Sequence, residues 1–371
     1  MTDSPPQKRK LPSDIQQIFT VARYEFLKHL RSRRLIGTIV VVLAIVSLIY
    51  ALPPLLGQPY TGHVDQTLNV QQISPQLLLF ILDPNSTIEL PGGISLANIT
   101  YDSLGRVGIV EDSIHVSIDG VQISDSAWIY MRDFNSVVFF QNYTANDVVA
   151  SFDFKRSTDS FTENFLSFAP FLVIICAIFF GADAIVSEYQ NRTAYLLFPN
   201  PVRREVTFFG KMAASFGASL LMVGLFYLVL LILSVGTLGD MSKYLWLSFI
   251  FAALYLLACL GLAYFISSVM KGSTGAIILT FFLLFMIFPI ISGVGQFAGA
   301  KMWFLLDFVG NSIGTSLRYD NYPEDQYFEI GGIGLYNYYP DLGLSAIVMI
   351  AYLIILSIIS LILFKRKQLT G

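Results

Sequence analysis

Residues able to do chemistry are sparse in this chain, and their spacing excludes more than it supports. The three histidines, His29, His63 and His115, are scattered, and no H-E-x-x-H places two of them on one helix face as zinc ligands. No G-x-x-x-x-G-K-[ST] occurs, so the chain carries no phosphate loop of its own. Cys176 and Cys259 each fall in a long apolar run without an obvious partner, which reads as two small buried hydrophobes. What is left is charge in an unexpected place. The stretch VSEYQNRTAYLLFPNPVRREVTFFGK, residues 186–211, sets Glu188, Arg192, Arg203, Arg204, Glu205 and Lys211 between two of the most apolar runs in the chain. What such a segment can do is dock against another protein, or lie as an interfacial loop with snorkelling arginines.

The elements that must hold this stretch are membrane spans. Hydrophobic residues make up 54% of the chain and charged ones 13%, with a mean hydropathy of +0.63, where a soluble domain carries about a quarter charged residues. The apolar residues gather in six runs, at 35–56, 164–187, 212–236, 244–269, 274–293 and 342–364. Each is close to the ~20 helical residues that cross a ~30 Å hydrocarbon core. Helices are expected, because lipid offers no partner for an unpaired backbone group. The first run starts late and lacks a small-x-small cleavage site, so it reads as a retained span rather than a signal peptide.

Lys and Arg set the expected orientation. Most of the 23 flank one side: those before the first span, then Arg192, Arg203, Arg204 and Lys211, then Lys271, then Lys365, Arg366 and Lys367. Both termini and the 188–211 loop are therefore expected to be cytoplasmic in a multi-pass protein of the cell membrane. Spans three to six have no ionisable residue in their interiors, which disfavours an ion-driven carrier. The second holds Asp183, which reads as a snorkelling or interface-paired carboxylate, with Glu188 at its inner end. An intramembrane protease would need a base or metal ligands in the bilayer, and the spans offer none. The basic residues are ordinary helix flanks and do not imply nucleic-acid binding.

Between the spans, residues 1–12 read as a disordered tail and 13–34 as a basic amphipathic helix lying in the membrane interface. Ser13 with Gln16 fits a capping box, and Ile15, Ile18, Phe19, Ala22, Phe26 and Leu30 follow at helical spacing. Residues 57–163 form an extracytoplasmic domain, β-rich or α+β. Its clearest signal is HVSIDGVQI, where Asp119–Gly120 turns a hairpin that pairs Ile118 with Val121 and Val116 with Ile123. SVVFFQNYT and VVASFDFKR read as further strands. Sequons at Asn85, Asn98 and Asn142 make these possible glycosylation sites in an organism that glycosylates. Residues 294–341 read as a re-entrant or interfacial outer segment followed by an acidic, tyrosine-rich loop, and 365–371 as a cytoplasmic tail. Gly210, Ala214 and Ala218, with Ala213 and Gly217, form a small-residue stripe suited to close helix packing.

The 188–211 stretch is longer than a passive link needs. Tyr195, Leu196, Leu197 and Phe198 make an apolar patch, Pro199 and Pro201 force a turn, and VRREVTFFGK runs into the next helix. Here the chain resembles the permease subunits of ABC-2 type transporters. Glu188, Thr193, Leu196–Leu197, Pro201, Arg203–Arg204 and Gly210–Lys211 fit that family's pattern of Glu, Gly-Thr, Leu-Leu, Pro, Arg and Gly-Lys. Arg192 stands where the family has Gly, and Pro199 adds a break. An amphipathic first helix, six spans, a domain after span one and short helices between spans five and six extend the likeness over nearly the whole chain.

The resemblance implies a permease without catalytic, cofactor or metal residues of its own. In that family the 188–211 loop is the coupling helix of an exporter and docks on a separate ABC ATPase subunit, present in two copies, where ATP and Mg are bound. A second permease copy, in a homodimer, or a paralogous permease would complete the complex. It implies that Tyr195–Phe198 give an apolar docking surface, that Arg203 and Arg204 contact ATPase carboxylates, and that Glu188 anchors the loop by pairing with a basic residue. Two other classes stay open on the sequence: a membrane-anchored sensor or adhesion protein working through residues 57–163, and an intramembrane enzyme. The scarcity of charge in the spans favours a hydrophobic or amphiphilic cargo.

Overall fold

The computed structural model describes residues 13–56, 59–73, 94–99, 107–131, 136–140, 148–190, 203–330 and 333–366. Among the described residues, six helices are long and apolar enough to cross a membrane: Arg33–Leu55, Thr158–Gln190, Arg204–Leu238, Leu245–Val269, Ser273–Phe297 and Leu342–Arg366. They are preceded by helix α1, Asp14–Leu30, whose start carries the full reciprocal capping box between Ser13 and Gln16. The chain divides into two compact units. One takes in the described residues up to Tyr50, Thr162–Ile232 and Met241 onward; the other takes in Ala51–Phe161 with Leu233–Asp240.

In the helical unit the second and fourth spans form the centre, each 67% buried. The first, fifth and sixth are 28%, 17% and 28% buried, so most of their apolar surface must be covered by lipid or another chain. Small residues set the closest approaches. A Cβ on Gly261 of the fourth span would lie 3.3 Å from the backbone of Leu353 in the sixth. Hydroxyls supply the polar glue: Ser360 donates to the Tyr264 carbonyl at 2.9 Å, and Ser215 donates to the Phe180 carbonyl at 2.7 Å. The second span is not one continuous helix. It breaks after Gly181 and resumes at Val186, and the amides of Ile185 and Val186 both donate to Ser267 Oγ at 3.1 Å. A serine on a neighbouring helix thus satisfies backbone groups that the break sets free.

Span ends differ from the sequence expectation in one place that matters. The third span helix begins at Arg204 rather than near 212 and runs 35 residues. At 1.5 Å per residue it is about 52 Å long, well beyond a ~30 Å core. No proline follows Pro201 in VRREVTFFGK, so nothing stops the helix from extending backwards through the basic residues. In the fifth span a π-helical segment, Leu283–Ile287, precedes Pro289, whose missing N–H and ring are accommodated by the wider turn.

Residues 306–318, expected as a re-entrant or interfacial segment, form short helical turns at Leu306–Gly310, Ser312–Thr315 and Ser316–Arg318. Leu306, Phe308, Val309, Ile313 and Leu317 are buried, and Gly310 admits the ring of Tyr255, which stands 2.9 Å from where a Cβ would be. The tyrosine-rich half then forms a hairpin not foreseen from the sequence, β10 (Gln326–Ile330) against β11 (Ile333–Asn337).

The second unit is built of strands. One sheet runs β1 (Thr61–Leu68), β9 (Val148–Arg156), β5 (His115–Ile118) and β6 (Val121–Gln122), with β4 (Val107–Ile109) also on β9. The other runs β2 (Val70–Ile73), β3 (Ile94–Asn98), β8 (Ser136–Phe139) and β7 (Trp128–Met131). Alternation along β9 buries Val148, Ala150, Phe152 and Phe154, the first three in a core shared with Val116, Val137 and Phe139. The hairpin expected at Asp119–Gly120 is present, with φ of 48° and 79° at the two turn residues and Ile118 opposite Val121. The Ile123 amide donates to the Val116 carbonyl, completing the expected pairing. Asn98 closes β3 opposite Ser136, while Asn85 and Asn142 lie outside the described residues.

Candidate coupling site

The two ends of the 188–211 stretch meet at a buried ion cluster. Lys211, about two turns inside its helix, donates to Glu188 at 2.6 Å and to Glu25 of α1 at 2.8 Å. The side chains of Lys211, Glu188 and Glu25 are only 8%, 10% and 13% exposed. Lys28 adds a second cation 3.2 Å from Glu25, so the set alternates in sign and balances two carboxylates with two ammonium groups. Burial acts to raise the Glu25 carboxyl, but the charges and hydrogen bonds of Lys211 and Lys28 outweigh it and hold it below the usual range, hence ionised. His29, edge-on to Phe180 at 5.4 Å, is pushed down by burial and stays neutral at pH 7, leaving the balance undisturbed.

Close packing fixes the same junction. A Cβ on Gly210 would lie 2.7 Å from Val21 and 3.2 Å from the Ile18 carbonyl, and one on Gly217 would meet the Phe26 ring at 3.3 Å. The small-residue stripe therefore receives α1. This divides the apolar stripe of α1: Ile18, Ala22 and Phe26 turn toward the protein, whereas Ile15 and Phe19 stay 79% and 72% exposed. Gly210→Ala is expected to cost about 1–3 kcal/mol by overpacking against α1, read as a lower thermal midpoint of the solubilised protein. An unchanged midpoint would show that α1 is only loosely seated.

Around this cluster the flanks of the stretch are tied to other elements. Arg203 donates to Asp14 at 2.9 Å. Arg204 donates to the Lys365 carbonyl at 2.8 Å, and Glu205 accepts from the Lys365 ammonium. Gln190 accepts from the Ser273 amide at 2.9 Å. The ends of the second, third and sixth spans, the start of the fifth, and α1 are thus joined at one level. The resemblance gave Glu188 a basic partner, and Lys211 occupies that place. It gave Arg203 and Arg204 to a partner protein, whereas here both hold contacts within the chain. Arg192, Thr193, Tyr195, Leu196, Leu197, Phe198 and Pro201 lie outside the described residues.

One turn deeper, Arg34 at the start of the first span grips Asp183 with both terminal nitrogens, at 2.9 and 2.7 Å, and adds the Phe179 carbonyl at 3.2 Å. Asp183 is therefore a paired carboxylate, as its position near the span end suggested. Glu25 and Asp14 were missed by sequence reasoning. The only signal for Glu25 was Lys211 itself, a cation set inside an apolar helix, which requires buried counter-charges.

A family model described as ABC-2 family transporter protein matches residues 19–303, a range that holds most of α1, the first five spans and the Lys211 ion cluster. The chain belongs to the ABC-2 transporter family. No curated protein matches it. The matched range begins inside α1 and includes Glu25, Asp183, Glu188 and Lys211, so the ion pairs of this ABC-2 transporter fall within what the family model describes. Membership, together with the apolar helices, makes the protein a membrane permease of an ABC transporter.

Proposed function

We propose that this ABC-2 transporter is the permease subunit of an exporter driven by ATP hydrolysis in a separate ATPase subunit, which docks on the cytoplasmic 188–211 loop. The observation that carries this reading is the ion cluster. A loop whose two ends are fused through Lys211, and whose flanks reach α1 and four spans, can pass a displacement at its tip to all of them together. Two ATPase copies beneath a permease dimer would pull two such loops in step, with ATP and Mg in the ATPase and both permease termini cytoplasmic. A hydrophobic or amphiphilic cargo suits spans with so few charges.

Arg203 is 69% exposed in its pair with Asp14, a pair weak enough to exchange for a partner carboxylate. Arg203→Glu with Arg204→Glu is expected to weaken co-purification of the ATPase subunit by at least about tenfold, since interface arginines each contribute about 1 kcal/mol or more. ATPase activity of the assembled complex should fall with it while membrane insertion is kept. Asp14→Asn removes the internal pair alone and should leave assembly intact. Undiminished assembly and ATPase activity in the double variant would sink the docking role.

A further inference from the structure

At the opposite end of the third span, where the chain turns into the fourth, an apolar groove of about 380 Å³ opens sideways. That lies within the roughly 300–1,000 Å³ of small-ligand sites. Leu231, Trp246 and Phe249 form its walls and Tyr227 its back. Leu228, Met241 and Trp246 at the mouth are 55%, 54% and 61% exposed. Two features are out of place in a surface that only meets lipid tails. Ser242 is 4% exposed, lines the groove, and its hydroxyl has no hydrogen-bond partner among the described residues. Tyr227 in the same wall is satisfied by Ser248 at 2.7 Å, so the lack is particular to Ser242. Beside it Lys243 stands at the mouth, its side chain 74% exposed and its one ion pair, to Asp320 at 3.0 Å, open to water.

We infer that this groove binds an anionic glycerophospholipid from the bilayer. One acyl chain lies along Leu231, Trp246 and Phe249, an ester carbonyl accepts from Ser242 Oγ, and the phosphate is held by Lys243. The order of groups along the groove, apolar, then one donor, then a cation, matches the order along such a lipid from chain to headgroup. A helix from the interior of spans three to six of a second copy would fill the apolar part but bring no carboxylate for Lys243. The site lies a full helix length from the coupling cluster and does not depend on the coupling role proposed above.

The test uses the full chain, reconstituted in nanodiscs of equal parts phosphatidylglycerol and phosphatidylcholine, extracted, and weighed by native mass spectrometry for retained lipid. Wild type should retain phosphatidylglycerol in preference. Lys243→Gln should reduce that preference about fivefold, the factor matching about 1 kcal/mol per basic residue beside an anionic lipid. Gly224→Phe projects into open space in the groove and should abolish retention of both lipids; Ser242→Ala, a milder change, should reduce it. Retention unaffected by Gly224→Phe or Ser242→Ala, or a preference unaffected by Lys243→Gln, overturns the site. So does disulfide cross-linking of Trp246→Cys between two copies, which would place a second chain there. Loss of the retained lipid during ATP turnover would make it cargo and overturn the resident-lipid assignment.

Discussion

Lys211→Met is expected to be among the most damaging single substitutions in the chain. It removes the ammonium that donates to both Glu25 and Glu188, two nearly buried carboxylates. Breaking a buried ion pair from one side costs about 3–5 kcal/mol, because the remaining charge is neither solvated nor paired. Here two carboxylates lose a partner at once, and Lys28 stays beside Glu25 from a more exposed position. The measurement is the thermal midpoint of the solubilised protein. The triple variant Glu25→Gln, Glu188→Gln, Lys211→Met removes all three charges and should recover most of the loss, since replacing a whole buried ion set is often close to neutral. A single variant as stable as wild type would mean the cluster is hydrated and not the clamp described.

The second large effect belongs to Arg34→Met. Asp183 accepts both guanidinium contacts and its side chain is 10% exposed, while that of Arg34 is 48% exposed. The two partners are therefore unequal. Removing the arginine strands a carboxylate inside a membrane span, at about 3–5 kcal/mol. Removing the carboxylate by Asp183→Asn leaves an arginine that can turn to water and still donate to the Phe179 carbonyl. Arg34→Met should lower both the yield of inserted protein and its thermal midpoint, and Asp183→Asn should do so much less. Combining the two should restore part of the Arg34→Met loss. Equal damage from both single variants would contradict this asymmetry.

Much of the architecture was legible because its signals are local. Six apolar runs gave six helices, Ser13 and Gln16 gave the cap of α1, and Asp119–Gly120 gave a hairpin in the expected register. What was not legible is pairing across sequence. Arg34 and Asp183 stand 149 residues apart, and Lys211 and Glu25 186 apart, so no window of the chain contains both members. The sequence placed α1 flat in the membrane interface. Gly210 and Gly217 also let part of its apolar stripe dock on the third span, and glycine spacing does not say which helix it receives. The β10–β11 hairpin had a signal that went unread, the Gly331–Gly332 pair between Ile330 and Ile333. Composition pointed to a loop there because tyrosine and acidic residues outnumber aliphatic ones.

The bond between Glu188 and Lys211 spans 23 positions and makes a closed ring of the chain between them. Within it, Gln190 and Arg203–Gly210 are held by their own contacts to the neighbouring helices. The closure cost of such a ring grows slowly, by only about 0.6 kcal/mol for each doubling of its length. Insertions, deletions or exchange confined to residues 191–202 should therefore be tolerated by the spans. In the proposed coupling role, that segment could be rewritten to suit a different ATPase while its tied flanks, and whatever the spans carry, stay the same.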